Sequence, residues 1–127
     1  MAKTAKAAKQ NFRTATDILT DAVIKGLLDK KGHSIVSLDL RLVSGAVADM
    51  FIVCHGDSST QVEGLGRSVE EVVHGELNEW PTFIEGKENA QWVIIDYINV
   101  VVHIFQNDQR EYYGIERLWA DAEIKKY

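Results

Sequence analysis

The sequence predicts a single α/β domain, with a mixed β-sheet of about five strands and helices packed on it. Three observations support this prediction. Helical and strand-like segments follow one another in the order α-β-β-α-β-β-β-α. Residues 49–55 (DMFIVCH) form a nearly continuous apolar run of strand length, which is typical of a central strand buried on both faces. Residues 91–97 and 100–106 are β-rich and lie only two residues apart, which indicates a hairpin.

The first helix is predicted from its cap and from its apolar spacing. Thr16 can cap the helix, with Asp17 in the first turn. Apolar residues then recur at helical spacing until residues 30–32 (KKG) end the helix. Residues 35–40 alternate between apolar and polar and predict a strand, and residues 41–48 connect it to the central strand.

The remaining elements complete the sheet and its helical layer. Residues 56–59 (GDSS) turn the chain and supply a serine cap for a long helix that runs to about Leu77. A short strand is predicted over residues 82–85, before the hairpin. Two short helices are predicted over residues 108–113 and 115–120.

The turn of the hairpin determines which side chains share a face. If residues 98 and 99 form the turn, one face is almost wholly aliphatic and belongs to the core (Val93, Ile95, Tyr97, Val100, Val102 and Ile104). The opposite face pairs Trp92 with Phe105, Ile94 with His103, and Asp96 with Val101. Aromatic residues mixed with a few polar ones are typical of a binding surface. The alternative is that a helix covers this face, so that its aromatic residues are core.

The 127-residue chain has a net charge of −5, and the charges are unevenly spread. Residues 1–14 contain three lysines, one arginine and no acidic residue, so they are expected to form a mobile tail of charge +4. Residues 15–127, the predicted domain, therefore carry −9. Such a body should repel nucleic-acid phosphates and attract basic surfaces, or its charge simply keeps it soluble. Either interpretation predicts little direct nucleic-acid binding by the folded body.

Hydropathy and cysteine content favour a cytoplasmic protein with no membrane association. No apolar run approaches the ~20 residues of a membrane-spanning helix. The first residues lack the apolar stretch of a secretory signal. The single cysteine, Cys54, lies in an apolar run and cannot form an internal disulfide, which fits a reducing cytosol.

No metal site, cofactor or catalytic residue is predicted from the residue pattern. The four histidines have no spacing typical of zinc ligands (His33, His55, His74 and His103). Cys54 and His55 are neighbours in a strand, so their side chains point to opposite faces, and Cys54 is expected in the core.

Acidic and phosphate-binding motifs are equally weak. Asp39, Asp49 and Asp96 lie at strand positions, but none forms the aspartate-x-aspartate pair expected of a nucleotidyltransferase. Residues 56–59 could hold a phosphate at the start of a helix, but Asp57 would repel it, so a plain helix cap is favoured.

Three segments of the chain carry a recognisable set of motifs: VADMFIVCHGDSSTQV (residues 47–62), WVIIDYINVVVHIF (92–105) and REYYGIERLWAD (110–121). These segments resemble the Iojap family, the bacterial and organellar ribosomal silencing factors. The similarity extends from about Thr16 to Asp121. The aspartate-tyrosine, valine-valine-histidine-isoleucine and glutamate-arginine-leucine-tryptophan elements occur together, in the family's order and spacing, and that combination is specific.

The resemblance implies a nucleotidyltransferase-like fold without the catalytic carboxylate pair. It also implies a non-enzymatic translation repressor that binds the large ribosomal subunit through ribosomal protein fourteen and sterically hinders joining of the small subunit. Two alternatives remain open, a large-subunit assembly factor and a nucleotide-binding or nucleotidyltransferase enzyme. The sequence does not decide whether the protein forms a homodimer.

The resemblance also assigns Trp92 to the binding surface, because it matches the tryptophan that opens the family's fourth-strand motif. Other motif positions are matched by Asp96, Tyr97, His103, Arg110, Glu111, Tyr112, Glu116 and Trp119. Combined with the mixed face of the hairpin, this gives the predicted partner-binding residues: Trp92, Ile94, Asp96, His103, Phe105, Glu111 and Tyr112.

Overall fold

A computed structural model describes residues 13–127 of the chain. The predicted tail over residues 1–14 therefore lies, apart from its last two residues, outside the described part. The helices are α1 (Ala15–Asp29), α2 (Ser59–Leu77), α3 (Asn107–Tyr113) and α4 (Ile115–Leu118). The strands are β1 (His33–Asp39), β2 (Met50–Gly56), β3 (Phe83–Glu85), β4 (Trp92–Asp96), β5 (Val100–Gln106) and β6 (Glu123–Lys126).

Within the described residues the strands form one mixed sheet in the order β3-β4-β5-β2-β1-β6. Strands β2 and β5 pair in parallel, and every other neighbouring pair is antiparallel. The predicted α/β fold class is confirmed. Strand β2 lies inside the sheet with six of its seven residues buried, as its continuous apolar run predicts.

The sheet has one strand more than the prediction. Strand β6 pairs antiparallel with β1 and forms an edge of the sheet. All four of its residues are exposed. An exposed edge strand has no buried face, so its sequence has no apolar alternation to reveal it. Helix α4 is correspondingly shorter than predicted, since it ends at Leu118.

The N-cap of the first helix lies two residues before the predicted one. The N-cap is Thr14, whose hydroxyl accepts a hydrogen bond from the Asp17 backbone N–H at 3.1 Å. The Asp17 carboxylate in return accepts the Thr14 backbone N–H at 3.1 Å, so the pair forms a capping box. Thr16 is buried inside the helix, and its hydroxyl donates to the Asp49 carboxylate at 2.9 Å. The prediction of a cap at Thr16 was wrong because Thr14 has the reciprocal partner three residues on.

Helices α1 and α2 pack side by side on one face of the sheet. This face holds the larger core, which includes the aliphatic face of the hairpin. A Cβ at Gly26 of α1 would lie 2.9 Å from the Val69 Cα of α2, so only glycine allows this helix spacing. The Ser68 hydroxyl also donates to the Gly26 carbonyl at 2.7 Å, which satisfies a buried polar group at the contact. Among the described residues, no helix is both long and apolar enough to cross a membrane.

The second face of the sheet bears a smaller core. It is built on Phe51 and Phe105 and is covered by side chains of the segment before β2 and of the C-terminal segment. The covering side chains are Val43, Ala46, Ala48, Ile115, Trp119 and Ala122. Coverage is incomplete, because Trp92 and Ile94 at the β4 side pack on this cluster and remain half-buried.

Candidate partner-binding surface

The hairpin has the predicted register. Trp92 lies opposite Phe105, Ile94 opposite His103, and Asp96 opposite Val101. The predicted turn is confirmed, since the Tyr97 N–H donates to the Val100 carbonyl at 2.9 Å. The mixed face therefore exists as the sequence predicts.

The centre of this face is an aromatic patch, defined here as Trp92, Phe105, Tyr112 and Tyr113. The Trp92 ring stacks on Phe105 with 4.9 Å between centroids and contacts Tyr113 at 4.5 Å. Tyr112 meets Tyr113 edge-on at 5.1 Å. Exposure rises outward from the fully buried Phe105 through the half-buried Trp92 to Tyr112, which is 77% exposed. A partner could therefore reach Trp92 and both tyrosines.

Two of the predicted contact residues lie beneath this surface. Phe105 is 0% exposed and His103 is 6% exposed, so neither can touch a partner directly in this conformation. The Phe51 ring packs edge-on against His103, with 4.7 Å between centroids. The Trp119 ring packs edge-on against Phe51 at 6.0 Å, and together these rings cover His103 from solvent. Phe105 and His103 are therefore core residues, as the alternative interpretation predicted, while Trp92 is only half-buried.

Burial also sets the charge state of His103. The pKa of its imidazole is lowered to about 4, because an imidazolium there would be desolvated. The ring is therefore neutral near pH 7. Its Nδ1 atom accepts a hydrogen bond from the Trp92 indole N–H at 3.2 Å.

Ile94 and Asp96 are half-buried on the same face. Ile94 packs against the smaller core. The Asp96 carboxylate accepts the backbone N–H of Ile98 at 2.7 Å, and Ile98 has a positive φ of 79°. Asp96 therefore stabilises a strained turn, in addition to any contact it makes with a partner.

Glu111 and Tyr112 are exposed on α3, which follows β5 without a loop. The helix is anchored by Arg110, whose guanidinium donates to both oxygens of Glu116, at 2.8 and 3.1 Å. Another Arg110 nitrogen lies 2.9 Å from His55 Nδ1 on β2. Burial, together with the neighbouring Arg110 charge, lowers the pKa of His55. The family-motif residues Arg110 and Glu116 thus hold α3 in place, and α3 holds Tyr113 against Trp92.

Sequence reasoning missed Tyr113, which contacts Trp92 directly. Nothing in the local pattern separates Tyr113 from Tyr112. Only the direction in which α3 leaves β5 brings the second tyrosine over the hairpin.

The weak chemical motifs have structural roles. Ser58 is the N-cap of α2, and the Gln61 side chain accepts the Asp57 backbone N–H at 2.8 Å, so an amide that could have held a phosphate is occupied. Cys54 is buried as predicted, and burial raises the pKa of its thiol to about 12.

The three carboxylates predicted at strand positions make separate interactions, and Asp49 lies just before β2, which begins at Met50. Asp39 pairs with Arg41, Asp49 accepts from Thr16, and Asp96 accepts from Ile98. Across residues 13–127, no group of three or more histidine, cysteine, aspartate or glutamate side chains is placed to hold a metal ion.

The protein is thus a mixed α/β domain whose two long helices cover one face of the sheet and whose other face bears a half-exposed aromatic patch. Comparison with known proteins identifies the family. The family model described as "Ribosomal silencing factor during starvation" matches residues 13–126. The chain therefore belongs to the ribosomal silencing factor family, which confirms the resemblance found from the sequence motifs.

Relatives and solved structures agree with this assignment. The ribosomal silencing factor of Bacillus subtilis strain 168 is 40% identical over 96 residues, covering 76% of this chain and 80% of the relative. That of Halalkalibacterium halodurans is 38% identical over 104 residues, covering 82% and 87%. A crystal structure from Chromobacterium violaceum has a TM-score of 0.78 at 33% identity, covering 84% of this chain and 88% of that one. A crystal structure from Bacillus halodurans has a TM-score of 0.70 at 37% identity, covering 80% and 92%.

Proposed function

We propose that this protein represses translation by binding the large ribosomal subunit through ribosomal protein fourteen, and that it thereby blocks joining of the small subunit. The observation that supports this most strongly is the family match over residues 13–126, since the relatives are named ribosomal silencing factors. The protein would act in the cytoplasm, where ribosomal subunits join.

Steric occlusion needs only affinity and position. A compact domain of the size of residues 15–127 has a radius of gyration of about 13 Å, so it would fill a gap between two subunits wherever it bound at their interface. No bond has to be made or broken. The separation of Asp39, Asp49 and Asp96 onto different partners fits a mechanism without catalysis.

The exposed part of the aromatic patch, formed by Trp92, Tyr112 and Tyr113, is the proposed contact. Half-exposed Trp92, supported from below by Phe105 and from the side by Tyr113, is a rigid aromatic anchor. Such anchors contribute a large share of the affinity of protein interfaces. The net charge of −9 on residues 15–127 favours a basic partner.

Sedimentation on ribosome gradients tests the proposal. The tagged protein should co-sediment with free large subunits and should be absent from polysomes. Added to purified subunits, it should reduce formation of the joined ribosome. Protein spread through the polysome fractions would contradict the silencing mechanism. Accumulation of incomplete large subunits in cells that lack the protein would favour the assembly role.

Trp92→Ala tests the contact. It should weaken binding to large subunits by at least tenfold, because an anchor at an interface centre typically contributes ~2 kcal/mol or more. The matched control is Trp80→Ala. Trp80 is 65% exposed and stacks on His74 at 3.9 Å, away from the aromatic patch, so its removal should leave binding unchanged.

A second comparison separates binding from folding. Ile95 lies on the aliphatic face of β4 and is 0% exposed, so Ile95→Ala should lower the free energy of unfolding by about 2–5 kcal/mol. Trp92→Ala should lower it less, since Trp92 is only half-buried. If Trp92→Ala unfolds the domain while Ile95→Ala does not, the proposed surface lies elsewhere.

A further inference from the structure

His103 is a polar residue inside a cluster that is otherwise apolar. It lies on β5 with its ring against Phe51 at 4.7 Å, and it is 6% exposed. Its Nε2 atom is buried and has no hydrogen-bond partner among the described residues. A buried polar atom without a partner costs stability, so His103 is a poor choice for packing alone.

The other ring nitrogen has a defined partner. His103 Nδ1 lies 3.2 Å from the Trp92 indole nitrogen and accepts its N–H. Because Nδ1 accepts, the ring proton is on Nε2. Burial keeps the ring neutral at physiological pH, so the Nδ1 lone pair remains available to the indole.

This hydrogen bond determines what Trp92 presents to its surroundings. Tryptophan at an interface normally offers both an apolar ring and a donor N–H. Here the N–H is turned inward to His103, and the ring contacts Phe105 and Tyr113. The indole is therefore held in one orientation, with its donor already satisfied.

We infer that His103 is a positioning residue for partner binding: it accepts the indole N–H from beneath, fixes the orientation of Trp92, and leaves ring carbons as the contact surface. The inference rests on the proposed function, and it deepens the role of the same surface. It assigns His103 no direct contact with the partner. Because the indole N–H is already satisfied, the partner group that contacts Trp92 does not have to be a hydrogen-bond acceptor.

A matched pair of variants tests this role. Asparagine and leucine have the same branched shape at Cγ, and both remove the rest of the imidazole, but only asparagine has an oxygen near the Nδ1 position. His103→Asn should therefore keep the indole hydrogen bond, and His103→Leu should lose it. Buried leucine should be the more stable of the two, since buried asparagine has polar atoms to satisfy. If affinity depends only on stability, His103→Leu should bind more tightly than His103→Asn. If affinity depends on the hydrogen-bond acceptor, His103→Asn should bind more tightly.

Two measurements are made on each full-length variant. The first is affinity for purified large ribosomal subunits. His103→Leu should bind about threefold to tenfold more weakly than His103→Asn, the range that one hydrogen bond contributes. The second is the indole ¹⁵N–¹H resonance of Trp92 in the free protein, assigned by its loss in Trp92→Phe. In His103→Leu this resonance should lose its hydrogen-bonded shift and its protection from exchange, and in His103→Asn it should retain both.

The outcomes separate the inference from the proposed function. If His103→Leu binds as well as His103→Asn, or if it leaves the Trp92 resonance unchanged, the positioning role is wrong. If His103→Leu weakens binding without altering the resonance, His103 acts by another route, and the inference is again wrong. If Trp92→Ala does not affect binding, the proposed contact surface fails, and the resonance alone still decides whether His103 orients the indole.

Discussion

Asp96 and His103 lie on the face of the hairpin predicted to bind a partner, yet each directs its polar group toward the protein. Asp96 accepts the backbone N–H of Ile98 and supports the turn. His103 accepts the Trp92 indole N–H from below the surface. At the scale of single residues, this face therefore combines residues with a structural role and residues that remain exposed. Some of its polar groups hold the aromatic anchor and the turn in place, and Trp92 with the exposed residues of α3 remains available for contact.

The buried imidazole of His103 should make stability depend on pH. Its pKa is about 4 in the folded protein and 6.5 in a model peptide, so between these values the unfolded chain binds a proton that the folded chain does not. The free energy of unfolding should therefore fall as pH drops from about 6.5 to about 4, by up to ~1.4 kcal/mol per pH unit. Chemical denaturation at a series of pH values measures this slope.

The control for this prediction is His103→Leu, which removes the titrating group. The pKa of His55 is also lowered and contributes in the same direction, so the variant should keep a smaller slope over the same pH window. A slope equal to that of the wild type would show that His103 is not the group responsible.

At the scale of elements, local sequence patterns predicted those parts of the fold that have a buried side. The register of β4 against β5 followed from one assumption about the turn, because side chains alternate with period two and one face is almost wholly aliphatic. The strand β6 could not be found in this way, since all four of its residues are exposed. Tyr113 could not be assigned to the aromatic patch either, because its position depends on how Arg110 and Glu116 anchor α3.

The loop between β3 and β4 places the start of β4 and hence Trp92. Gly86 in this loop has φ +87°, and a Cβ there would lie 1.9 Å from the Trp92 carbonyl oxygen. Gly86→Ala should therefore both strain the backbone and displace Trp92, at a cost of at least about 1–3 kcal/mol in the free energy of unfolding. Binding to large subunits should weaken as well. Denaturation midpoints and subunit affinity measure the two effects.

Gly64 provides the matched control for Gly86. It lies within α2, and an added Cβ would meet no atom within 4 Å. Gly64→Ala should stabilise the protein by roughly 0.5–1 kcal/mol, because alanine loses less backbone entropy in a helix. Equal and small effects of both substitutions would refute the role given to Gly86.

At the scale of the whole molecule, the sheet has one face that two long helices cover and a second face that is only partly covered. The helices α1 and α2 cover the first face completely enough to bury Val93, Ile95 and Ile104. The second face is only partly covered, and its partial coverage leaves Trp92 half-buried. Sequence patterns could predict two faces of different chemistry. They could not predict how far the C-terminal segment would reach across the second one, because that depends on tertiary packing.

Charge acts at the same scale and gives the last prediction. With −9 on residues 15–127, affinity for a basic ribosomal protein should fall as salt rises, since exposed charges are screened over about 8 Å at physiological ionic strength. The folded body should bind naked ribosomal RNA weakly, because phosphates would meet a surface of like charge. Titrations with large subunits and with ribosomal RNA, at several potassium chloride concentrations, measure both.

The basic residues before the domain must be removed to interpret the RNA titration. The deletion should end at residue 12, because Thr14 caps α1 and Arg13 pairs with Asp21. The shortened protein should keep its affinity for large subunits within a few-fold, and any RNA affinity of the full chain should disappear. RNA binding that stays tight after this deletion would mean that the folded body itself recognises nucleic acid, and the proposed contact with a basic ribosomal protein would then lose its electrostatic support.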